Sequence, residues 1–168
     1  MTRALFLDRD GTLIVDVGYP RDPALVEPLA GAIDALRELQ RTWKLVIISN
    51  QSGLGRGLIT EAEAQAVHAR VVDVFAAGGV LFAGAYYCPH APEAGCRCRK
   101  PAPGLLLDAA AELGLDLAAS VIVGDKSSDL EAGRAAGVPR LIRFGPDIDG
   151  IDGSRRIDDW VALARYLG

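Results

Sequence analysis

Five short apolar runs recur along the chain, and helix-like segments separate them. The runs cover residues 4–8, 44–49, 85–88, 120–125 and 140–144. Several are almost continuously apolar, which is typical of strands that are buried on both faces. Strands that alternate with helices predict an α/β fold in three layers, with a mostly parallel sheet between two layers of helices.

Capping signals and apolar periodicity locate the helices. Two capping boxes, in which a hydroxyl residue is followed three positions later by a glutamate, are formed by Thr60 with Glu63 and by Ser128 with Glu131. Further helices are predicted over 30–41, over 104–113 and near the C-terminus. The Gly- and Asp-rich residues 145–156 are predicted to form a surface loop before that last helix.

Length and charge limit the classes of protein to which the chain can belong. The 168 residues fit one domain, 1–168, that is large enough to bury a core without cross-links. A net charge of −4 argues against a general binder of nucleic acid or anionic membranes. No apolar run approaches a membrane span, and acidic residues come too early for a signal peptide. We therefore expect a cytoplasmic protein, and no dimer-forming pattern argues against a monomer.

Two aspartates follow the first apolar run, in "FLDRDGTL". On an extended strand Asp8 and Asp10 point the same way and Arg9 points away, while Gly11 permits a sharp turn. Two carboxylates in one crevice repel, so they need a cation or a shared proton, and Mg²⁺ suits oxygen ligands of this kind. A solvated Asp-x-Asp-Gly turn is the alternative interpretation.

A third strand-end acid occurs in "VGDKSSDLEAG". Asp125 is predicted to lie at the same edge of the sheet as Asp8 and Asp10, where open α/β sheets bind ligands. The alternative interpretation of this stretch is a strand-to-helix turn, but that interpretation does not explain Asp125 at the end of a buried strand. Asp129 is a further ligand, a supporting partner of the site or an acid in the first helical turn.

The stretch "IISNQSGLGRG" also follows a strand. Ser49 and the backbone N–H groups after it could hold an anion. A dinucleotide-binding G-x-G-x-x-G pattern fails because position 58 is Leu58, and the chain contains no Gly-Lys pair for a P-loop. Nucleotide binding by either device is therefore not expected.

All three cysteines of the chain lie in "CPHAPEAGCRCRKPAPG". Cys88, His90, Cys96 and Cys98 supply three thiolates and an imidazole, a set suited to a closed, structural Zn²⁺ site in a loop over 88–98. A disulfide would leave one cysteine unpaired, and unrelated thiols are the other alternative. Arg97, Arg99 and Lys100 are expected to offset the negative charge of the thiolates.

Together, "DRDGT", the strand-end Ser49, Lys100 before a proline and "GDKSSD" resemble the haloacid-dehalogenase-like phosphohydrolases. The resemblance spans about residues 4–144 and implies a Rossmann-like fold. Within that superfamily the strings "DRDGTLIVDVGYP", "SNQSGLGRG", "YYCPH" and "CRCRKPAPG" are similar to the heptose 1,7-bisphosphate 7-phosphatases, which make precursors of lipopolysaccharide or S-layer glycans. The histidinol-phosphate phosphatases share the first and last of these strings but resemble "VDVGYP" and "GLGRG" less, and they are the alternative.

The resemblance implies a phosphoaspartyl mechanism. Asp8 is the nucleophile, and Mg²⁺ is bound by Asp8, Asp125 and the backbone carbonyl of Asp10. The side chain of Asp10 is the general acid and base, and Ser49 and Lys100 stabilise the phosphoryl oxygens. The family match also implies that Arg99 recognises the second phosphate. Further substrate contacts implied by the match are Asp16, Val17, Gly18, Tyr19, Asn50, Gln51, Ser52, Arg56 and Lys126.

Some of these positions have alternative interpretations. Arg56 and Lys126 could equally be solvated side chains, and His68 is expected on the surface of its helix. Only 35 residues lie between Thr12 and Ile48, so no cap domain is expected. The alternatives from other classes are a receiver-like signalling domain, against which Asp10 argues, and a zinc-organised binding module with a decayed site.

Overall fold

One sheet of six parallel strands runs through the computed structural model, which describes residues 2–145 and 151–168. In chain order the strands are β1 (Ala4–Leu7), β2 (Lys44–Asn50), β3 (Gly84–Cys88), β4 (Val121–Gly124), β5 (Arg140–Phe144) and β6 (Arg155–Ile157). They are arranged in the order β3-β2-β1-β4-β5-β6. The predicted parallel α/β fold is confirmed.

Helices cover both faces of this sheet. The α-helices are α1 (Ala32–Leu39), α2 (Ser52–Gly55), α3 (Glu61–Ala77), α4 (Gly104–Leu113), α5 (Ser127–Ala136) and α6 (Trp160–Leu167). Short 3-10 turns are formed by Pro23–Leu25, Pro92–Ala94 and Leu117–Ala119. Helices α1, α3 and α6 pack on one face, and α4 and α5 pack on the other. None of the described helices is long and apolar enough to cross a bilayer.

The central strand shows why the apolar runs are continuous. Leu5 and Leu7 of β1 pack into the core on one face, whereas Ala4 and Phe6 pack into the core on the other. All four side chains are fully buried. Because side chains alternate along a strand, only an unbroken apolar run can satisfy two cores at once.

The helix boundaries agree with the capping signals except at α5. Thr60 and Glu63 form the predicted capping box of α3, with N···O distances of 2.8 and 3.2 Å. The predicted box of Ser128 and Glu131 is wrong, because α5 begins at Ser127 and its N-cap is Lys126. The carboxylate of Asp129 accepts a hydrogen bond from the Lys126 N–H at 3.1 Å, so this acid sets the helix start.

Two segments for which no helix or strand was predicted contain regular structure. Within 145–156, β6 forms at Arg155–Ile157 because Ile157 packs into the core beside β5. Residues 146–150 of that predicted loop lie outside the described residues. The stretch after β2 includes the single helical turn α2.

The sheet order changes direction at β1, which has β2 on one side and β4 on the other. The carboxyl ends of these three strands therefore meet at one edge, where open α/β sheets bind ligands. The connection from β1 to β2 contains a flap, whose stem is joined by hydrogen bonds from Val15 N to Glu27 O and from Leu29 N to Leu13 O, both 2.9 Å. Apart from α1 and one 3-10 turn, this connection holds no further helix, so the expected lack of a cap domain is confirmed.

Candidate active site

Three carboxylates meet where β1 and β4 end. Oxygen atoms of Asp8, Asp125 and Asp129 lie within 4.8 Å of one another. Asp8 and Asp129 are buried, and the buried Oδ1 of Asp125 has no hydrogen-bond partner among the described residues. A buried carboxylate oxygen without a donor, set among two further carboxylates, fits a hard divalent cation such as Mg²⁺.

The electrostatics of the cluster also favour a cation. The pKa of Asp8 is raised to about 6, mainly because the side chain is buried. Lys100 opposes this shift, but the charges of Asp125 and Asp10 add to the effect of burial, and together they outweigh Lys100. Burial and the charge of Asp129 likewise raise the pKa of Asp125. Each ionised carboxylate is therefore costly in the metal-free protein, and a divalent ion would relieve that cost.

Lys100 is a buried cation beside the three carboxylates. Its Nζ lies 2.6 Å from Asp8 Oδ1 and 2.5 Å from Asp129 Oδ1, and it donates to the Ile48 carbonyl at 3.0 Å. Burial alone would lower the pKa of Lys100, but the carboxylates of Asp129 and Asp8 outweigh it and raise the pKa above its usual value. Lys100 is therefore a fixed positive charge beside Asp8.

Two hydrogen bonds from the side chain of Asn50, called the Asn50 clasp below, fix the backbone of Lys100. The amide of Asn50, at the end of β2, donates to the Lys100 carbonyl at 3.1 Å and accepts from the Lys100 N–H at 3.0 Å. Next to it, Gln51 donates from Nε2 to the buried Ser49 Oγ at 2.8 Å. Asn50 thus uses its amide to hold the backbone that carries Lys100, a role that sequence reasoning missed.

The side chain of Asp10 lies apart from the three-carboxylate cluster. It pairs with Arg9 at 3.2 Å and accepts from Gln51 Nε2 at 2.7 Å. The prediction that Arg9 points away from Asp10 is wrong. The strand ends at Leu7, and the chain then turns, with Leu13 N donating to Arg9 O at 2.9 Å, so strand alternation no longer applies.

A cavity of about 810 Å³ opens over these groups. Besides the reacting groups Asp8, Asp10, Ser49 and Lys100, most of the predicted substrate contacts line it, namely Asp16, Gly18, Tyr19, Asn50, Gln51, Ser52, Arg99 and Lys126. Val17 and Arg56 are exposed and are not among its lining residues. The lining also includes Ser128 and Asp129, and the place of Asp129 beside Lys100 agrees with its interpretation as a supporting partner of the site.

Two further basic residues, Arg99 and Lys126, line the cavity. Arg99 Nη1 is buried and has no hydrogen-bond partner among the described residues. Lys126 Nζ lies 3.9 Å from Asp16 of the flap, so this pair bridges the cavity from two segments. Both cations could contact anionic groups of a bound molecule.

His68 is half-buried rather than on the surface as expected. Its Nδ1 is hydrogen-bonded to the hydroxyl of Tyr87, and the two ring centroids lie 4.7 Å apart. Helix α3 therefore contributes a polar group to the interior beside β3.

The three thiols and one imidazole of the loop over 88–98 converge as predicted. The Sγ atom of Cys98 lies 3.1 Å from Cys88 Sγ, 3.5 Å from Cys96 Sγ and 3.3 Å from His90 Nδ1. Cys88 Sγ lies 3.6 Å from both Cys96 Sγ and His90 Nδ1. Three sulfur atoms and one imidazole nitrogen at these mutual distances fit a tetrahedral Zn²⁺ with bonds of about 2.0–2.3 Å, and all three cysteines are free of disulfides.

The charges around this loop differ in part from the expectation. Arg97 pairs with Asp108 on α4 at 2.5 Å, and Lys100 pairs with Asp8 and Asp129. The prediction that these two side chains offset the thiolates is wrong for both, since each has a carboxylate partner elsewhere. Burial raises the pKa of the Cys88 thiol to about 12, so a metal ion would have to favour its thiolate form.

Comparison with known proteins assigns the chain to a family. A model of the HAD-hydrolase-like family matches residues 97–142. The D-glycero-β-D-manno-heptose-1,7-bisphosphate 7-phosphatase of Escherichia coli (strain K12) is 42% identical over 94% of this chain and 87% of the relative. The enzyme of the same name from Salmonella typhi is 41% identical over 94% and 88%. This chain belongs to the haloacid-dehalogenase-like phosphatases.

Among solved structures, the fold of this haloacid-dehalogenase-like phosphatase is similar to D,D-heptose 1,7-bisphosphate phosphatase from B. bronchiseptica, which was crystallised with magnesium and phosphate. The TM-score is 0.90 and the identity 33%, over 99% of this chain and 98% of that one. An HAD-like phosphatase from Mesorhizobium loti has a TM-score of 0.86 and 34% identity, over 99% of this chain and 84% of that one. The family resemblance that the motifs predicted is confirmed.

Gly11 provides a test of the three-carboxylate cluster in this haloacid-dehalogenase-like phosphatase. Its φ is +87°, and a Cβ there would lie 2.4 Å from Asp125 Oδ2. We expect Gly11→Ala to displace Asp125 and to raise the Mg²⁺ concentration for half-maximal phosphatase activity by about 10-fold or more, as misplaced ligating groups do. Gly114→Ala is the control, because Gly114 has a φ of +64° but no atom within 4 Å of the added Cβ. Equal Mg²⁺ dependence in the two variants would contradict the assignment of Asp125.

Proposed function

We propose that this phosphatase removes the 7-phosphate of D-glycero-D-manno-heptose 1,7-bisphosphate through a phosphoaspartyl intermediate on Asp8. The observation that carries the proposal is the buried contact of Asp8 with Lys100, beside Asp125, at the floor of an open cavity. An aspartate held in this way can act as a nucleophile toward a phosphate whose charge the cation offsets. The named relatives support the choice of substrate.

In the first step, an oxygen of Asp8 attacks phosphorus in line and the bond from phosphorus to the sugar oxygen breaks. The leaving oxygen takes a proton from the carboxyl group of Asp10. Lys100 and Ser49 offset and orient the charge on the phosphoryl oxygens. The products are the aspartyl phosphate of Asp8 and the heptose 1-phosphate.

In the second step, water attacks the aspartyl phosphate. Asp10, now a carboxylate, accepts a proton from this water, and the bond from phosphorus to Asp8 breaks. Inorganic phosphate leaves and Asp8 regains its carboxylate. One acid that alternates between two protonation states thus serves both steps.

Two metal ions complete the proposal. Mg²⁺ would be held by Asp8, Asp125 and the backbone carbonyl of Asp10, and it would supply positive charge beside the transferred phosphoryl group. Zn²⁺ would be held by Cys88, His90, Cys96 and Cys98 and would serve structure only, since four protein ligands fill its coordination shell.

The cavity suits a bisphosphate in size and charge. Its volume of about 810 Å³ exceeds what a single phosphate needs. Lys100 lies at the reacting end, and Arg99 and Lys126 line the same cavity, where Arg99 would bind the second phosphate and Lys126 would contact the substrate. Asp16, Gly18 and Tyr19 of the flap would contact the sugar, and Asn50, Gln51 and Ser52 would form the cavity wall. Val17 and Arg56 would contribute only through movement of their loops.

The proposal also includes the setting of the reaction. We place it in the cytoplasm, where free thiols persist, in a single-domain monomer over residues 1–168 that acts on a small sugar phosphate and binds neither nucleic acid nor membrane. The heptose 1-phosphate formed would feed synthesis of nucleotide-activated heptose, a precursor of lipopolysaccharide or S-layer glycan.

Steady-state kinetics with Mg²⁺ test the choice of substrate. We expect kcat/KM for both anomers of the heptose 1,7-bisphosphate to exceed the values for fructose 1,6-bisphosphate and histidinol phosphate by about 10-fold or more, because histidinol phosphate has no second phosphate for Arg99 to bind and the furanose ring of fructose 1,6-bisphosphate differs in shape from the heptose. Faster turnover of histidinol phosphate would overturn the proposed substrate. Stoichiometric labelling without repeated release of phosphate would instead indicate a receiver-like domain.

A further inference from the structure

Arg9 is one of the largest fully buried side chains of the protein, at 2% exposure. Its guanidinium lies 3.2 Å from the carboxylate of Asp10 and 5.5 Å from the ring centroid of Tyr87. Burial of a cation is costly unless an anion or an aromatic face compensates for it. Arg9 has both kinds of partner, and the anion is the proposed acid and base of the reaction.

Tyr87 extends this contact to helix α3. Its hydroxyl is hydrogen-bonded to Nδ1 of His68, and the two rings pack edge to face at 73°. Burial raises the pKa of Tyr87 to about 12, even though Arg9 opposes that shift. Burial, helped by the charge of Arg9, lowers the pKa of His68. The Tyr87 hydroxyl and the His68 imidazole are thus joined by a hydrogen bond and by an edge-to-face ring contact.

Asp10 is held from a second side by Gln51, which donates from Nε2 to Oδ2 at 2.7 Å. The carboxylate is therefore fixed between a buried guanidinium and a buried amide, and its exposed fraction is only 13%. A general acid must be oriented within a fraction of an ångström to transfer a proton efficiently. Gln51 approaches from the cavity, whereas Arg9 approaches from the interior beneath it.

We propose that Arg9 is a positioning residue for Asp10, and that Tyr87 and His68 hold its guanidinium in place. The inference rests on the proposed function in one respect, namely that Asp10 is the acid and base. The series His68, Tyr87, Arg9 and Asp10 connects helix α3 to the reacting centre through contacts that are buried or half-buried. Arg9 is not among the residues that line the cavity, so its effect on the reaction passes through the carboxylate that it orients.

The test compares two phosphate esters that differ in their need for an acid. A sugar phosphate releases a strongly basic alkoxide that must be protonated, whereas p-nitrophenyl phosphate releases a stable phenolate without a proton. Since kcat/KM reports on events up to release of the leaving group, it isolates the step in which Asp10 acts as an acid. We expect Arg9→Lys to lower kcat/KM for the sugar phosphate by about 10-fold or more and that for p-nitrophenyl phosphate by less than about 3-fold.

Tyr87→Phe is a milder variant, since it keeps the ring and removes only the hydroxyl that joins His68. We expect a loss of about 3-fold in kcat/KM for the sugar phosphate and none for p-nitrophenyl phosphate. Tyr86→Phe is the matched control, because Tyr86 is the neighbouring residue of β3 but packs on the opposite face of the sheet, and it should leave both values unchanged.

Equal losses for both esters in Arg9→Lys and Tyr87→Phe, or no loss for either, would overturn the inference. If Arg9→Lys does not fold, Tyr87→Phe decides the outcome alone. If the wild-type protein prefers another alkyl phosphate to the heptose bisphosphate, the proposed substrate is wrong, but the inference about Arg9 is not affected. The comparison with p-nitrophenyl phosphate is then made with the preferred alkyl phosphate.

Discussion

Substitution of Asp8 by asparagine is expected to lower phosphatase kcat by at least about 10³-fold, because the amide cannot form the phosphoaspartyl intermediate. The side chain keeps its shape, and Lys100 keeps Asp129 as a counter-charge at 2.5 Å. The measurement is release of inorganic phosphate under saturating Mg²⁺ and substrate. Asp73→Asn, which removes an exposed carboxylate on α3, is the matched control and should retain full activity.

The thermal stability of Asp8→Asn shows whether its loss of activity comes from the missing nucleophile or from misfolding. Asp8 has a pKa of about 6 in the folded, metal-free protein, which is above the ordinary value of 3.8, so its ionisation at neutral pH costs folding free energy. We expect the Tm of Asp8→Asn in EDTA to equal or exceed that of the wild type. The rise in Tm that Mg²⁺ produces in the wild type should be lost. Substantial turnover by a folded Asp8→Asn protein would refute the nucleophile assignment.

The Cys98→Ala variant is expected to lose its bound zinc and to melt on the order of 10 °C lower than the wild type, since a closed zinc site contributes several kcal/mol to folding. Cys98 is chosen because its Sγ contacts all three other ligand atoms at 3.1–3.5 Å. Zinc per chain is measured by elemental analysis after extensive dialysis, and Tm by calorimetry. Activity at low temperature should fall much less than stability, since the reacting groups lie outside the loop.

Glu93→Ala is the control for this loop. Glu93 lies in the 3-10 turn between the two ligand pairs and is exposed, so its removal should change neither zinc content nor Tm. One zinc per chain in Cys98→Ala would show that the four ligands do not act together. A loss of kcat at unchanged Tm would assign the loop to catalysis instead.

Local sequence patterns predicted the fold well where one physical requirement dominated. The continuous apolar runs predicted five of the strands, because a strand between two helical layers must be apolar on both faces. Gly114 marked the end of α4 and the Thr60 capping box marked the start of α3, because both signals act within one helical turn. The strand β6 escaped prediction because it is three residues long and only Ile157 among them is buried.

Most residues of the site were predicted from the sequence, but the contacts between them were not. Strand ends located Asp8, Ser49 and Asp125, and the motif added Lys100. The Asn50 clasp spans 50 residues, and no local pattern encodes it. Arg9 was assigned to the wrong side because the strand was assumed to continue past Leu7, where the backbone already turns.

The position of β1 has a consequence for synthesis of the protein on the ribosome. Strand β1 emerges before the other five described strands but occupies the middle of the sheet, and its neighbour on one side is β4, whose residues emerge more than a hundred positions later. Until then Asp8 lacks both Asp125 and Asp129, and Lys100 lacks half of its charge partners. On the proposed mechanism, a nascent chain therefore lacks one of its Mg²⁺ ligands, and we expect it to hydrolyse phosphate esters only after most of the polypeptide has left the exit tunnel.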